Sequence, residues 1–548
     1  MVFVVSASTA RSQDTSEAAR AFARDHASKI QPLEIEIAHA WWTANTTGKD
    51  EAYAAKELAE NKLNDALADK AQFARLKQIH DGQIADPVLK RQIHVLYLQY
   101  LEKQVDPELM KRMTSRANTI EKAFNVFRAA VGDKSLTDGE VRQVLMKSKD
   151  TGERQKVWEA SKRVGADVET DLRDLVRLRN DAATQLGYAD YHVLQLHLSE
   201  LKQAEVLKLF DELDTLTREP FARAKAEIDQ KLAKDFSIQT DELRPWHYHD
   251  PFFQEPPAIY DVDLDGPFVD ADIQRICREF YAAIGLPIDD VLKRSDLYEK
   301  PGKSPHAFCT DIDRTGDVRV LANIRPTEYW MSTMLHELGH SVYSSKNIPK
   351  ELPWTLRTDA HIMCTEGVAM MFERFSKNAD WLEAFGVRVN DRHAFNASGA
   401  RMRRDRLLIF SRWCQVMFRF EKELYRDPSQ DLNKLWWDLV EKYQLLKRPE
   451  GRSAPDYGSK IHIVSAPAYY HNYMLGQLFA CQLHAAIARD VLKTADAANA
   501  NYTRDPRVGQ FMNAKVFSQG RLLPWNDLTK FATGEELKAK AFAAEFSH

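Results

Sequence analysis

The chain has 548 residues, 44% of them hydrophobic and 28% charged, which supplies apolar side chains for a large core without any run near the roughly 18 apolar residues of a membrane span. A net charge of −4 with both signs mixed along the chain excludes the one-sided basic face that phosphate backbones select, and with it a nucleic-acid partner. With only 21 glycines and 21 prolines between long stretches of good helix formers, the composition predicts an all-α protein, mostly helical with a small antiparallel sheet.

The first residues, Met1 to Ala10, are apolar and small without a basic start, so residues 1–13 read as a disordered leader or the remnant of an export signal. The compartment stays open, with a periplasmic or secreted location the one this stretch favours over the cytoplasm. Residues 14–548 read as one domain of two intimate helical lobes. From about Asp14 to Leu243 amphipathic helices follow one another; Leu172, Leu175, Val176, Ala183 and Leu186 keep helical spacing before Gly187 stops them. No fixed-period repeat is present.

Between Arg244 and Phe268 a proline- and aromatic-rich segment breaks the helical pattern and reads as ordered loop. A helix over Ala271 to Ile284 follows. The run Pro301 to Pro326, with alternation in Asp317 to Ile324, predicts the small antiparallel sheet. Helices resume at Thr327 and continue to the end, interrupted at Asp427-Pro428, at Arg448 to Gly458 and near Asp505-Pro506. Five scattered cysteines (Cys277, Cys309, Cys364, Cys414, Cys481) have no metal-knuckle spacing and read as small buried hydrophobes rather than a disulfide framework.

The chemistry concentrates at His336-Glu337-Leu338-Gly339-His340. Thr327 is placed to cap a helix there, and Met331, Met334, Leu335, Leu338 and Val342 give it an apolar face. Histidines at i and i+4 sit one turn apart on one face, so both imidazoles can reach one ion. Catalytic zinc takes three protein ligands and leaves one position open. Glu366, on a second helical pattern downstream, is the candidate third ligand. Glu373, two turns further, is a surface carboxylate or one that supports a ligand from behind. Glu337 lies between the two ligands, points toward the water position, and fits a general base.

In this order, Trp41-Trp-Thr-Ala-Asn45, His306-Ala-Phe-Cys-Thr-Asp311, the metal pentad, Leu356-Arg357, Leu435-Trp-Trp-Asp-Leu439, Lys442-Tyr-Gln444, Lys460-Ile-His462-Ile and Tyr470-His-Asn-Tyr473 resemble the angiotensin-converting-enzyme family of zinc peptidyl dipeptidases, from about Trp41 to the end. The resemblance implies a helical ellipsoid split by a deep central channel, one Zn2+ at its bottom and N-terminal helices as a lid. It implies oligopeptide substrates from which C-terminal dipeptides are released. Tyr473 and His462 match the family's donors to the tetrahedral oxyanion. His306 and the backbone of Ala307 match positions that hold the peptide's C-terminal segment. Lys460, Tyr470 and Gln254 match the grip on its terminal carboxylate. An arginine in place of the glutamine shortens the pocket to one residue in the family's carboxypeptidase relative, so Gln254 favours dipeptide release. Trp436 and Trp437 read as core.

The chain also departs from the family. Val440 and Asn472 stand where arginines hold activating chloride, so chloride is not expected at those sites. Met370 replaces an aspartate one turn after the glutamate ligand, so support for a zinc histidine has to come from elsewhere. The His340-to-Glu366 spacing is two residues longer than usual, and the family's disulfide cysteines are missing. Two other readings share these residues. One is an oligopeptidase of the thimet or bacterial dipeptidyl-carboxypeptidase type; the other is a non-catalytic peptide-binding protein that has kept a peptidase fold.

Overall fold

Helix boundaries follow the punctuation of the chain. Asp86, Asp106 and Asp505 each cap a helix through their carboxylates, with Pro87, Pro107 and Pro506 in the first turn, where a missing N–H costs nothing. Pro428 lies just past the end of the Arg392–Arg426 helix, which cannot continue through it. A computed structural model describes the backbone of residues 3–260 and 263–546, with side chains from residue 15 onward, and helices dominate it. The first helix, Phe3–Thr47, begins inside the stretch expected as a leader over residues 1–13, whose side chains lie outside the described residues. Among the described residues no helix is long and apolar enough to cross a membrane.

Among the described residues, two antiparallel strand pairs interrupt the helices. β1 (Ala129–Val131) pairs with β2 (Lys134–Leu136), and β3 (Phe308–Asp311) pairs with β4 (Val318–Leu321), Phe308 opposite Leu321 and Asp311 opposite Val318. The second pair is the sheet expected from Asp317 to Ile324. The first corrects a reading of helices alone up to Leu243. Its strands are three residues long, too short for alternation to register, and only the Gly132-Asp133 turn marks them, with Gly132 at a φ of 59°.

The chain divides into two compact units. The first comprises Met1–Gln104, Asp263–Asn396 and Leu475–Leu537; the second comprises Val105–Val262, Ala397–Met474 and Lys538–His548. In the first, the N-terminal helices close over Phe22, Ile30, Leu76, Ile93 and Leu96. In the second, the Thr151–Gln185 helix buries Leu172, Leu175, Val176 and Ala183 as its spacing predicts, each large aliphatic contributing about 1.5–3 kcal/mol. Trp436 and Trp437 are buried there, as expected. All five cysteines are free and four are buried; Cys309 is half-buried.

Candidate metal centre

The Glu328–Val342 helix starts where Thr327 Oγ1 accepts the Trp330 N–H and buries Met331, Met334, Leu335, Leu338 and Val342. That leaves His336 and His340 on one face, with Nε2 atoms 3.2 Å apart. The Ile362–Glu373 helix packs against it and brings Glu366 Oε2 to 3.6 Å from His336 Nε2. One donor atom from each of His336, His340 and Glu366 lies within 4.8 Å of the other two.

Packing at this point depends on missing side chains. A Cβ at Gly339 would come within 2.7 Å of Ala369 Cα, so only glycine lets the two helices approach this closely. Gly367 likewise meets the Gly476 carbonyl, where a Cβ would fall at 2.7 Å.

Behind the ligands, His336 Nδ1 lies 2.8 Å from Glu373 Oε2, and His340 Nδ1 lies 2.7 Å from Thr365 Oγ1. The Glu373 carboxylate only accepts, so His336 carries a proton on Nδ1, and Nε2 is the ring nitrogen that faces His340 and Glu366. Two imidazoles and a carboxylate brought together in this way are a donor set that a divalent cation such as zinc takes. The surrounding carboxylates draw positive charge to the site: burial alone would pull the His336 imidazole down, but the Glu373 hydrogen bond and the charges of Glu373, Glu337 and Glu366 hold it at about 9. Burial and the His336 charge push His340 down to about 3. Burial raises Glu366, and burial lifts Glu337 to about 7, with Glu366 and Glu373 adding to the rise. Glu337 is only 8% exposed and bonds to the backbone of Cys309 on β3. Exposed His306 and half-buried Ala307 lead into that strand.

The second unit gathers the remaining predicted residues. Lys460 Nζ donates to Gln254 Oε1 at 2.7 Å and lies 5.5 Å from the Tyr470 ring centroid. Asp250 fixes the loop that carries Gln254, since its Oδ1 accepts the Phe252 and Gln254 N–H groups, while Gln444 donates to the Phe252 and Phe253 carbonyls. Burial lowers Lys460 to about 8, with Asp250 resisting the fall. The His462 ring centroid is 5.2 Å from that of Tyr470, which in turn is 5.6 Å from that of Tyr473. Burial, then the Lys460 charge, pushes His462 down to about 4, so at neutral pH it is an uncharged N–H donor. Val440 and Asn472 are buried, and neither side chain carries a cation.

Two residues escaped the sequence reading in whole or part. Thr365 gave no signal, being one of many threonines inside a helix. Glu373 did give one, because a residue seven after Glu366 returns to the same helical face, and its bond to His336 supplies the support that Met370 does not.

A family model, peptidase family M2, angiotensin-converting enzyme, matches residues 13–247 and 267–547, leaving out the loop that carries Gln254. The angiotensin-converting enzyme of Rattus norvegicus is 24% identical over 443 residues, 75% of this chain and 33% of the rat protein. The angiotensin-converting enzyme-like protein Ace3 of Mus musculus is 22% identical over 527 residues, 87% of this chain and 69% of that one. The angiotensin-converting enzyme of Haematobia irritans exigua is 22% identical over 453 residues, 75% and 72% of the respective chains. The chain thus spans about a third of the rat enzyme's length.

Proposed function

The chain belongs to the angiotensin-converting-enzyme family of peptidases, and on that premise we propose that it is a zinc peptidyl dipeptidase, releasing dipeptides from the C-terminus of oligopeptides. The observation that carries this reading is the convergence of His336, His340 and Glu366, with the buried Glu337 on the same helix. His336, His340 and Glu366 would hold the ion, which when bound supplies a Lewis acid that acidifies water and polarises a carbonyl. Glu337 takes the proton of the attacking water and delivers it to the leaving amine. His462 and Tyr473 donate to the oxyanion.

Substrate length would be read by charge. Lys460 and Tyr470, with Gln254, bind the terminal carboxylate, and the 2.7 Å bond between Lys460 and Gln254 supports the loop's part in that grip. His306 and the Ala307 backbone hold the C-terminal segment, and Gln254 rather than arginine leaves room for two residues. Residues 14–548 would act as one catalytic domain. With Val440 and Asn472 at the family's arginine positions, no chloride activation is expected. Mass spectrometry of the products from a mixed peptide pool, with zinc supplied or chelated, tests the reading. The expected result is a ladder losing two C-terminal residues at a time, zinc-dependent and equal with and without chloride. Internal cleavage, or equal rates on C-terminally amidated peptides, would favour the oligopeptidase type instead.

A further inference from the structure

Between His462 and Tyr473 the chain runs through one short helix, a four-residue turn from Ala466 to Tyr469, and the start of the Tyr470–Ile487 helix. The short helix, His462–Ser465, has four residues, so the Ile463 and Val464 carbonyls find no helical partner. Both are taken by one side chain from the Thr151–Gln185 helix. Arg179 donates from Nη1 to the Ile463 oxygen at 3.0 Å and from Nη2 to the Val464 oxygen at 2.6 Å, and Nη1 also donates to the Tyr425 hydroxyl at 3.0 Å. Further along, Ala468 is held in the left-handed region at a φ of 53°, a conformation unfavourable for a residue with a Cβ. Its N–H donates to Glu421 Oε1 at 2.8 Å, from the Arg392–Arg426 helix. Glu421 is 1% exposed and Arg179 6%, and burial lifts the Glu421 carboxyl to about 8 against the Ala468 hydrogen bond and the pull of the Arg179 charge.

We propose that the buried Arg179 and Glu421 form a clamp that positions His462 and Tyr473: the arginine fixes the turn that begins with His462, and the glutamate fixes the strained turn two residues before Tyr470. Without these side chains the Ile463 and Val464 carbonyls and the Ala468 N–H would lose their partners in the interior, so both turns depend on the two residues. This inference rests on the reading of His462 and Tyr473 as oxyanion donors. A displacement of about 1 Å in a reacting group costs roughly a hundredfold in rate, which sets the scale of the effect.

A double-mutant cycle tests it. Glu421→Met and Arg179→Lys are each made in the natural chain and in the His462→Ala/Tyr473→Phe variant, and kcat, KM and zinc per chain are measured. The clamp predicts that each substitution lowers kcat at least about tenfold in the natural chain with zinc retained, yet changes it less than about twofold once the donors are gone. Glu421→Gln, which keeps an acceptor for the Ala468 N–H, recovers most of the loss. If Glu421→Met does not fold, Arg179→Lys and Tyr425→Phe complete the cycle. Equal losses in both backgrounds would overturn the clamp alone. An unchanged kcat in the His462→Ala/Tyr473→Phe variant would overturn the donor roles and the clamp together.

Discussion

At the scale of single residues, the candidate metal site consists of three donors and the groups that bond to them from behind. His336 and His340 were legible because i and i+4 on a helix leave no choice of face. The aiming groups were less so: Glu373 reaches back two turns to His336 Nδ1, and Thr365 reaches His340 Nδ1 from beside Glu366. Outer hydrogen bonds of this kind typically carry about 10–100-fold of metal affinity. Glu373→Gln and Thr365→Val are therefore expected to weaken zinc binding by that order in chelator competition, without disturbing the helices seen by circular dichroism. Unchanged affinity in both would mean that the imidazoles are oriented by packing alone.

Helices set the site by how closely they meet. Gly339 faces Ala369 with no room for a methyl group, and this close contact of the two helices brings Glu366 to the histidine pair. A Gly339→Ala substitution forces backbone apart, with an expected cost of about 1–3 kcal/mol in urea unfolding and a loss of zinc affinity alongside it. Loss of stability with intact zinc affinity would show that the site tolerates the displacement. Helix limits such as Thr327 and the break near Asp505-Pro506 were legible because caps are local chemistry; Asp86-Pro87 and Asp106-Pro107, which start two further helices the same way, were not singled out. The β1–β2 pair was not, because three-residue strands carry no readable period. Nor were the long-range bonds of Arg179 and Glu421, which join positions more than forty residues apart and leave no local pattern.

For the molecule as a whole, length selection should be a matter of charge and hence of pH. Burial holds Lys460 at about 8, so its ammonium is present below that pH and is lost as pH rises through it. KM for peptides with a free C-terminus is expected to climb above about pH 8, by roughly tenfold or more once the charge-assisted bond is gone, while amidated peptides show no such rise. A flat KM through pH 10 would remove Lys460 from substrate capture. The proposed reaction needs one ion and one base, both held by residues of the first unit. Zinc content and turnover of Glu337→Gln, measured beside the natural chain, test that most directly. About one zinc per chain in both, with kcat lower by about a hundredfold to ten-thousandfold in the variant, is the result predicted for a general base beside a three-ligand site. Undiminished turnover in the variant, or a natural chain active without any bound metal, would contradict it.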